Sequence, residues 1–437
     1  MTIQKPKLEL LSPAGDLEGL SAALRFGADA VFIGGSFLQL RASAAGFTDE
    51  NLAKAAAKVH AAGKKLYVTV NSFAYSHEIP KVADYVRFLK ASGVDAIIVS
   101  DIGVLAEAKA ACPDLDVHIS TQANTMNYRA AQVYYDMGAS RVVLARELSL
   151  EEILEFRAKA PKALEMEAFI HGAMCMSYSG RCLISAYMTG RSGNRGECAQ
   201  PCRWSYHLVE EKRPGEYFPI EEDEKGTTIL SSYDMCALPL IKQLAEAGII
   251  SFKIEGRMKS PFYIASVTNA YRMALDGTGT FNDAAKELCS ISHRPYTAGF
   301  YIGQPGSPED QASLGDLLVS GKVDGEYLRE CTFIGTAAGP RTAANAVETA
   351  KETAAAEGRT VSGPSDSSLT PVVTRNFFRL GDTLEVLSPS SPGKPFTLDY
   401  MENAEGTPLD RSNQPLKTVF LRVPFPVKPG DLLRMRK

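Results

Sequence analysis

One pattern governs the first 160 residues: a short apolar run rich in β-branched side chains, then an amphipathic stretch, over and over. The runs are Leu8–Leu11, Ala30–Gly34, Leu66–Asn71, Ala96–Ser100, Val117–Ser120 and Arg141–Ala145. Each is too apolar for a strand with one wet face, which suits a parallel sheet covered on both sides. The stretches between them read as helices. Thr48 caps one whose Leu52, Ala55, Ala56 and Val59 share a face, and Gly63 ends it. Another places Val82, Tyr85, Val86 and Leu89 together and stops at Gly93, and Ser149 and Glu152 have capping-box spacing at the start of a third. Two more strands fit the series, Glu165–Ile170 and Ser251–Glu255. The second is followed by Ser260-Pro261 at the start of a helix running to about Leu275.

Eight such units in 275 residues predict an α/β fold, a TIM-like (β/α)8 barrel. An open doubly wound sheet is the structural alternative. Strand-to-strand spacing stays at roughly 20 to 36 residues until the last step, of roughly 80. That places an insertion after strand seven, residues 171–250, leaving the C-terminal face where barrel active sites sit. The barrel is expected to span residues 1–285.

From 286 to 437 the texture changes to a small β-rich domain. Strand-like runs at Glu330–Ile334, Val372–Val373, Thr383–Leu387 and Thr418–Val423 are broken by Gly and Pro. Residues 337–370, rich in Ala, Thr and Ser, read as a flexible excursion or a weak helix. The last 27 residues carry seven Lys or Arg against Asp431, a net +6 patch. The whole chain is acidic, with 47 basic and 51 acidic residues, which excludes a wholesale polyanion binder but not a local basic face. No apolar run reaches the roughly 18 residues of a membrane span. The N-terminus lacks a secretory h-region, so a cytoplasmic protein with no membrane partner is expected.

The cysteines are the chemical signal. Five of eight, Cys175, Cys182, Cys198, Cys202 and Cys236, fall inside the insertion. In a cytosolic chain such clustering reads as metal or redox chemistry rather than a disulfide framework. No C-x2-C pair supports a zinc ribbon. No cysteine stands three residues after Cys202, so a radical C-x3-C-x2-C motif is missing too. Gly180, Gly190, Gly193 and Gly196 allow close backbone approach to sulfur. Arg181, Arg191, Arg195 and Arg203, against Glu197 alone, offset thiolate charge or bind a polyanion. There is no HExxH and no G-x-S-x-G to support peptidase chemistry.

The runs HGAMCMSYSGRCLIS, NRGECAQPCRW, LSSYDMC and SFKIEGRMKSPFY resemble the signature of the collagenase-like peptidase family. The opening LELLSPAGDLEGLSAALRFGADAVFIGG and the tail motif FFRLGDTLEVLSP extend the likeness over nearly the whole chain. The resemblance implies an iron–sulfur hydroxylase rather than a peptidase, with a [4Fe–4S] cluster on Cys175, Cys182, Cys198 and Cys236 and Cys202 as a substitute for the last. The long form with a C-terminal β domain implies oxygen-independent conversion of the tRNA wobble uridine to 5-hydroxyuridine, with prephenate as co-substrate. It also implies an electron donor and a related paralogous subunit as partners. Related branches imply hydroxylation of a ribosomal RNA cytidine or of a quinone precursor.

Candidate site residues lie at the C-terminal ends of the barrel strands. His171, Glu167, Gln122 and Asn71 are the candidates for the chemistry. For His171 the alternative is a hydrogen-bonded structural histidine. Arg41, Arg146, Lys253 and Arg257 are the candidates for substrate binding, because guanidinium forks suit a dicarboxylate. Tyr178, Tyr187 and Trp204 can stack on an unpaired RNA base or fill the insertion's own core.

Overall fold

The computed structural model describes residues 8–40, 47–175, 177–204, 207–209, 217–219, 233–316, 318 and 328–437. Eight parallel strands form a closed barrel. In chain order these are β1 (Glu9–Pro13), β2 (Ala30–Gly34), β3 (Lys65–Val70), β4 (Ala96–Val99), β5 (Asp116–Ile119), β6 (Arg141–Val143) and β7 (Glu165–Ala173). The eighth is β11 (Ser251–Ile254), which pairs with both β7 and β1 and closes the ring. The open-sheet alternative is thereby excluded.

Local signals hold where the sequence carries them. Helix α2 (Asp49–Ala61) opens with the Thr48 N–H donating to Asn51 Oδ1 at 3.0 Å. Helix α6 (Leu150–Lys159) opens with a full Ser149–Glu152 capping box. Helix α9 (Pro261–Asp276) starts at its proline.

The insertion is shorter than expected. Strand β7 runs on to Ala173, and residues 234–236 return as β10 (Asp234–Cys236), antiparallel to the end of β7. Helix α8 (Ile241–Glu246) then leads into β11. The true excursion lies between 174 and 233. Its described parts are α7 (Ile184–Thr189), two short turns at Gly193–Arg195 and Pro201–Arg203, and a hairpin of β8 (His207–Val209) with β9 (Tyr217–Pro219).

The chain divides into two compact units, and the expected break at 285/286 does not fall between them. One unit is 1–271 with 293–328, the other 272–292 with 329–437. Residues 293–328 return to the barrel because β12 (Tyr296–Thr297) pairs with β10, and buried Asp310 accepts from Thr297 Oγ1 and the Ala298 N–H, each at 2.7 Å. The second unit is built on a seven-stranded sheet. Its strands are β13 (Cys331–Ala337), β14 (Thr370–Thr374), β16 (Thr383–Leu387), β17 (Lys394–Thr397), β18 (Met401–Asn403), β20 (Thr418–Leu421) and β21 (Leu432–Arg436), in the order β17-β16-β21-β13-β14-β20-β18. A separate pair joins β15 (Phe378–Arg379) to β19 (Arg411–Ser412).

The Ala/Thr-rich segment is a helix, α12 (Pro340–Ala356), with proline in its first turn and Gly358 at φ +73° just beyond its end. Alanine's helix propensity carries it with little burial. Four of the seven cations of the terminal basic patch are paired with carboxylates. Arg434 is buried and donates to Glu287 on α10 (Phe281–Cys289) and to Glu385, while Arg436 pairs with Glu385 and Glu330. Arg411 and Arg422 lie 3.5 Å and 3.9 Å from Asp410 and Asp399.

The barrel interior is ionic at its closing seam. Glu167 on β7 has no exposure and accepts from Lys253 Nζ on β11 at 2.7 Å, Arg141 on β6 at 3.0 Å and Ser251 Oγ at 3.2 Å. Arg141 also holds Glu9 on β1 at 2.6 Å and Glu165 at 2.8 Å, and stacks on Tyr67. Burial alone would raise the Glu167 carboxyl, but Lys253 and Arg141 outweigh it and hold it below the ordinary carboxylate range. Removing Arg141 leaves an under-compensated buried charge. Arg141→Met is therefore expected to cost about 3–5 kcal/mol, read as a lower urea midpoint at unchanged slope.

His118 on β5 is wholly buried edge-on to Tyr67, and burial, then Arg141 and Lys253, keep its imidazole neutral. Its folded pKa lies below the unfolded one, so the unfolded chain binds the extra proton as pH falls through about 6.5. Stability should fall by up to about 1.4 kcal/mol per pH unit below that point from this residue. His118→Phe should remove that part of the slope in denaturation series at pH 7.5, 6.5 and 5.5.

Candidate functional site at the barrel mouth

The C-terminal ends of the strands carry the residues singled out by sequence, and the excursion is fastened across them. At the end of β3, Arg195 donates to Glu78 through two nitrogens at 2.7 and 2.9 Å and to the Phe73 carbonyl at 2.6 Å, with its plane over Tyr75. That fork holds the Glu78 carboxyl below its usual range. At the end of β5, Gly180 sits at φ +74° where a Cβ would overlap the Gln122 carbonyl oxygen. At the end of β6, the Ser179 N–H donates to Glu147 at 2.9 Å, and Arg146 reaches the Ala173 carbonyl at 3.1 Å. Three strand ends thus grip one loop.

Several expected site residues meet, but not as one catalytic cluster. Glu167 and Lys253 form a salt bridge at 2.7 Å within the barrel interior. Arg146 lies against Cys175 and stacks over Phe169. Arg257 is buried and donates to Thr69 Oγ1 at 2.9 Å, Gln39 Oε1 at 3.3 Å and the Leu40 carbonyl. Asn71 accepts from the Leu40 N–H and donates to Ser120 Oγ, each at 3.3 Å. Arg41 falls outside the described residues. The guanidiniums proposed for a dicarboxylate are accordingly in use by the protein at Arg146 and Arg257.

His171 departs furthest from expectation. The register of β7 against β11 shifts between Lys253 and Ile254, which pair with Phe169 and His171, so a bulge breaks the alternation of side chains there. The ring packs among Tyr263, Tyr271 and Tyr296, and Tyr271 Oη lies 3.3 Å from its Nδ1. Burial pushes its pKa down to about 3, so the imidazole is neutral. That environment matches the hydrogen-bonded structural histidine.

Cys236 pairs with His171 across the β7–β10 ladder, fully buried, with Tyr271 Oη 3.8 Å from its sulfur. Burial pushes that thiol up to about 11. Cys175 is exposed, and Cys182, Cys198 and Cys202 are half-buried. Among the described residues no three His, Cys, Asp or Glu side chains are grouped to hold a metal.

What the rim does offer is unspent hydrogen-bonding capacity and a cleft. Glu147 Oε2, Asn124 Oδ1 and Thr125 Oγ1 are buried without a partner among the described residues, and such atoms call for a ligand or water. A separate cleft of about 680 Å³ opens after β2 and β3, lined by Gly35, Ser36, Phe37, Leu38, Gln39, Phe47, Thr48, Asp49, Glu50, Ser72, Glu78 and Arg195. Sequence reasoning missed Glu78, Gln39 and Ser179. Glu78 and Gln39 sit in no motif, Ser179 lies within the first cysteine run without marking itself there, and only the fold brings the three to the mouth.

The model of peptidase family U32 matches residues 15–311, and that of the family's C-terminal domain matches residues 360–434. The chain is 34% identical to the tRNA hydroxylation protein P1 of Bacillus subtilis (strain 168), over 99% of this chain and 95% of that one. It is 34% identical to the tRNA hydroxylation protein P of Escherichia coli (strain K12), over 98% and 97%. It is also 37% identical to the 23S rRNA 5-hydroxycytidine synthase of the same organism, over 63% of this chain and 40% of that protein.

The grip on the excursion can be tested directly. Gly180→Ala adds both a left-handed backbone penalty, about 1 kcal/mol, and a clash with Gln122. It should speed limited proteolysis between 174 and 204 several-fold and raise thiol labelling of Cys182 and Cys198, while the urea midpoint of the barrel stays close to wild type.

Proposed function

The chain belongs to peptidase family U32, and from that premise we propose that it is an RNA-modifying enzyme that hydroxylates the wobble uridine of tRNA to 5-hydroxyuridine without molecular oxygen. The observation that carries the reading is full-length similarity, barrel and β-rich unit alike, to proteins named for tRNA hydroxylation. Similarity to the ribosomal RNA synthase is confined to 63% of this chain, which favours tRNA over ribosomal RNA. The lack of a peptidase motif in the sequence favours either over proteolysis. No helix among the described residues is long and apolar enough to cross a membrane.

The barrel mouth supports this chemistry by position. Strand-end residues of a (β/α)8 barrel surround one space, and the excursion is fastened to the ends of three of those strands. Buried acceptors at Glu147 and Asn124 can take hydrogen bonds from the N–H and O–H groups of a bound pyrimidine nucleotide. A [4Fe–4S] cluster on Cys175, Cys182, Cys198 and Cys236, and prephenate as co-substrate, belong to the proposal on the sequence resemblance alone.

The deciding measurement is a nucleoside profile of bulk tRNA and 23S rRNA from cells with and without the gene, by mass spectrometry. Loss of 5-hydroxyuridine and its derivatives from tRNA is expected. Unchanged tRNA with missing 5-hydroxycytidine would move the assignment to ribosomal RNA, and unchanged RNA with lost gelatin cleavage would move it to proteolysis. Protein purified without air should contain iron and sulfide in equal amounts, and Cys175→Ser should lower both to background.

A further inference from the structure

The excursion turns its most apolar side chains outward. Leu183, the N-cap of α7, is 70% exposed and Tyr187 on the helix 92%, one turn apart, with the Tyr187 N–H donating to the Leu183 carbonyl at 2.9 Å. They cannot fold back on the helix's other side, which is already used. There Ser185 Oγ is buried and accepts from the Ala199 N–H at 2.9 Å, and the turn Pro201–Arg203 packs against α7. A six-residue helix has little stability of its own. This one is held in place by the Arg195–Glu78 fork and by Gly180 against Gln122.

The flanks are cationic. Arg181 and Arg191 stand exposed on either side of α7 in sequence, and no described carboxylate pairs with them. Glu197 is the single acidic residue between 174 and 204.

Resting on the reading of the chain as an RNA-modifying enzyme, we propose that Leu183 and Tyr187, between Arg181 and Arg191, form a platform on which an unpaired base of the substrate RNA stacks, the two guanidiniums meeting adjoining phosphates. Every base offers a π-face to a tyrosine ring, and arginine supplies phosphate contacts that phosphodiester charge rewards. The arginines argue against a second copy as the occupant. A twofold contact through this face would press like charges together.

The test uses the full chain and three RNAs: bulk tRNA, a hairpin with an unpaired loop, and a fully paired duplex, followed by filter binding. Tyr187→Ala should weaken tRNA and loop binding about tenfold and leave duplex binding unchanged. The double variant Arg181→Ser, Arg191→Ser should lower the slope of log affinity against log salt by about 1–2. Both side chains are exposed, so circular-dichroism melts should match wild type. Wild-type affinity and slope in both variants would overturn the platform while leaving RNA modification intact. A dimer in sedimentation that Tyr187→Ala dissolves would assign the face to a second copy and also overturn it. A tRNA nucleoside profile indifferent to the gene would overturn the underlying reading instead.

Discussion

The barrel closes around a carboxylate with no access to water. Glu167 on β7 is caught between Arg141 of β6 and Lys253 of β11, and Arg141 reaches on to Glu9 of the first strand. Those four strands are the seam at which a chain that has gone round once must meet its own beginning. Apolar side chains would bury as well there and could settle in more than one alignment. Buried ions tolerate few, because sliding β7 by one residue would turn Glu167 outward and strand both cations. Such a network adds little net energy, and its contribution here is to make one register far better than its neighbours.

From that register follows the geometry of the mouth. With β7 held at Glu167, its bulge near His171 directs the imidazole into the tyrosine cluster, and its last residues meet β10, which carries Cys236. The excursion then leaves from a defined point and is met by groups at the ends of β3, β5 and β6. Most polar side chains at the rim satisfy one another: Arg257 with Leu40 and Thr69, Arg146 with Ala173, Arg195 with Glu78. The few that do not are buried atoms of Glu147, Asn124 and Thr125.

Periodicity made the barrel readable, because each strand is buried on both faces and each helix on one. Ser149–Glu152 and Ser260-Pro261 marked helix starts that the structure keeps. The site was legible in part. Glu167 and Lys253 were chosen as mouth residues, and they do meet, but as members of the seam. His171 was placed by counting along a strand, and a bulge is a backbone event with no composition of its own. The basic tail misled for a related reason: counting Arg434 and Arg436 ignores Glu287, Glu330 and Glu385, which lie up to 147 residues away and bind them. Long-range pairing leaves no local trace.

The interleaving of the two units has a consequence for how the polypeptide can be divided. Residues 272–292 belong with the β-rich unit, and 293–328 go back to the barrel. A fragment ending near 285 would lose Asp310 and β12, the strand paired with β10, while the complementary piece would keep Glu287 but lose the N-terminal half of α10. Because the chain passes from one unit to the other three times, no single cut along it separates the two.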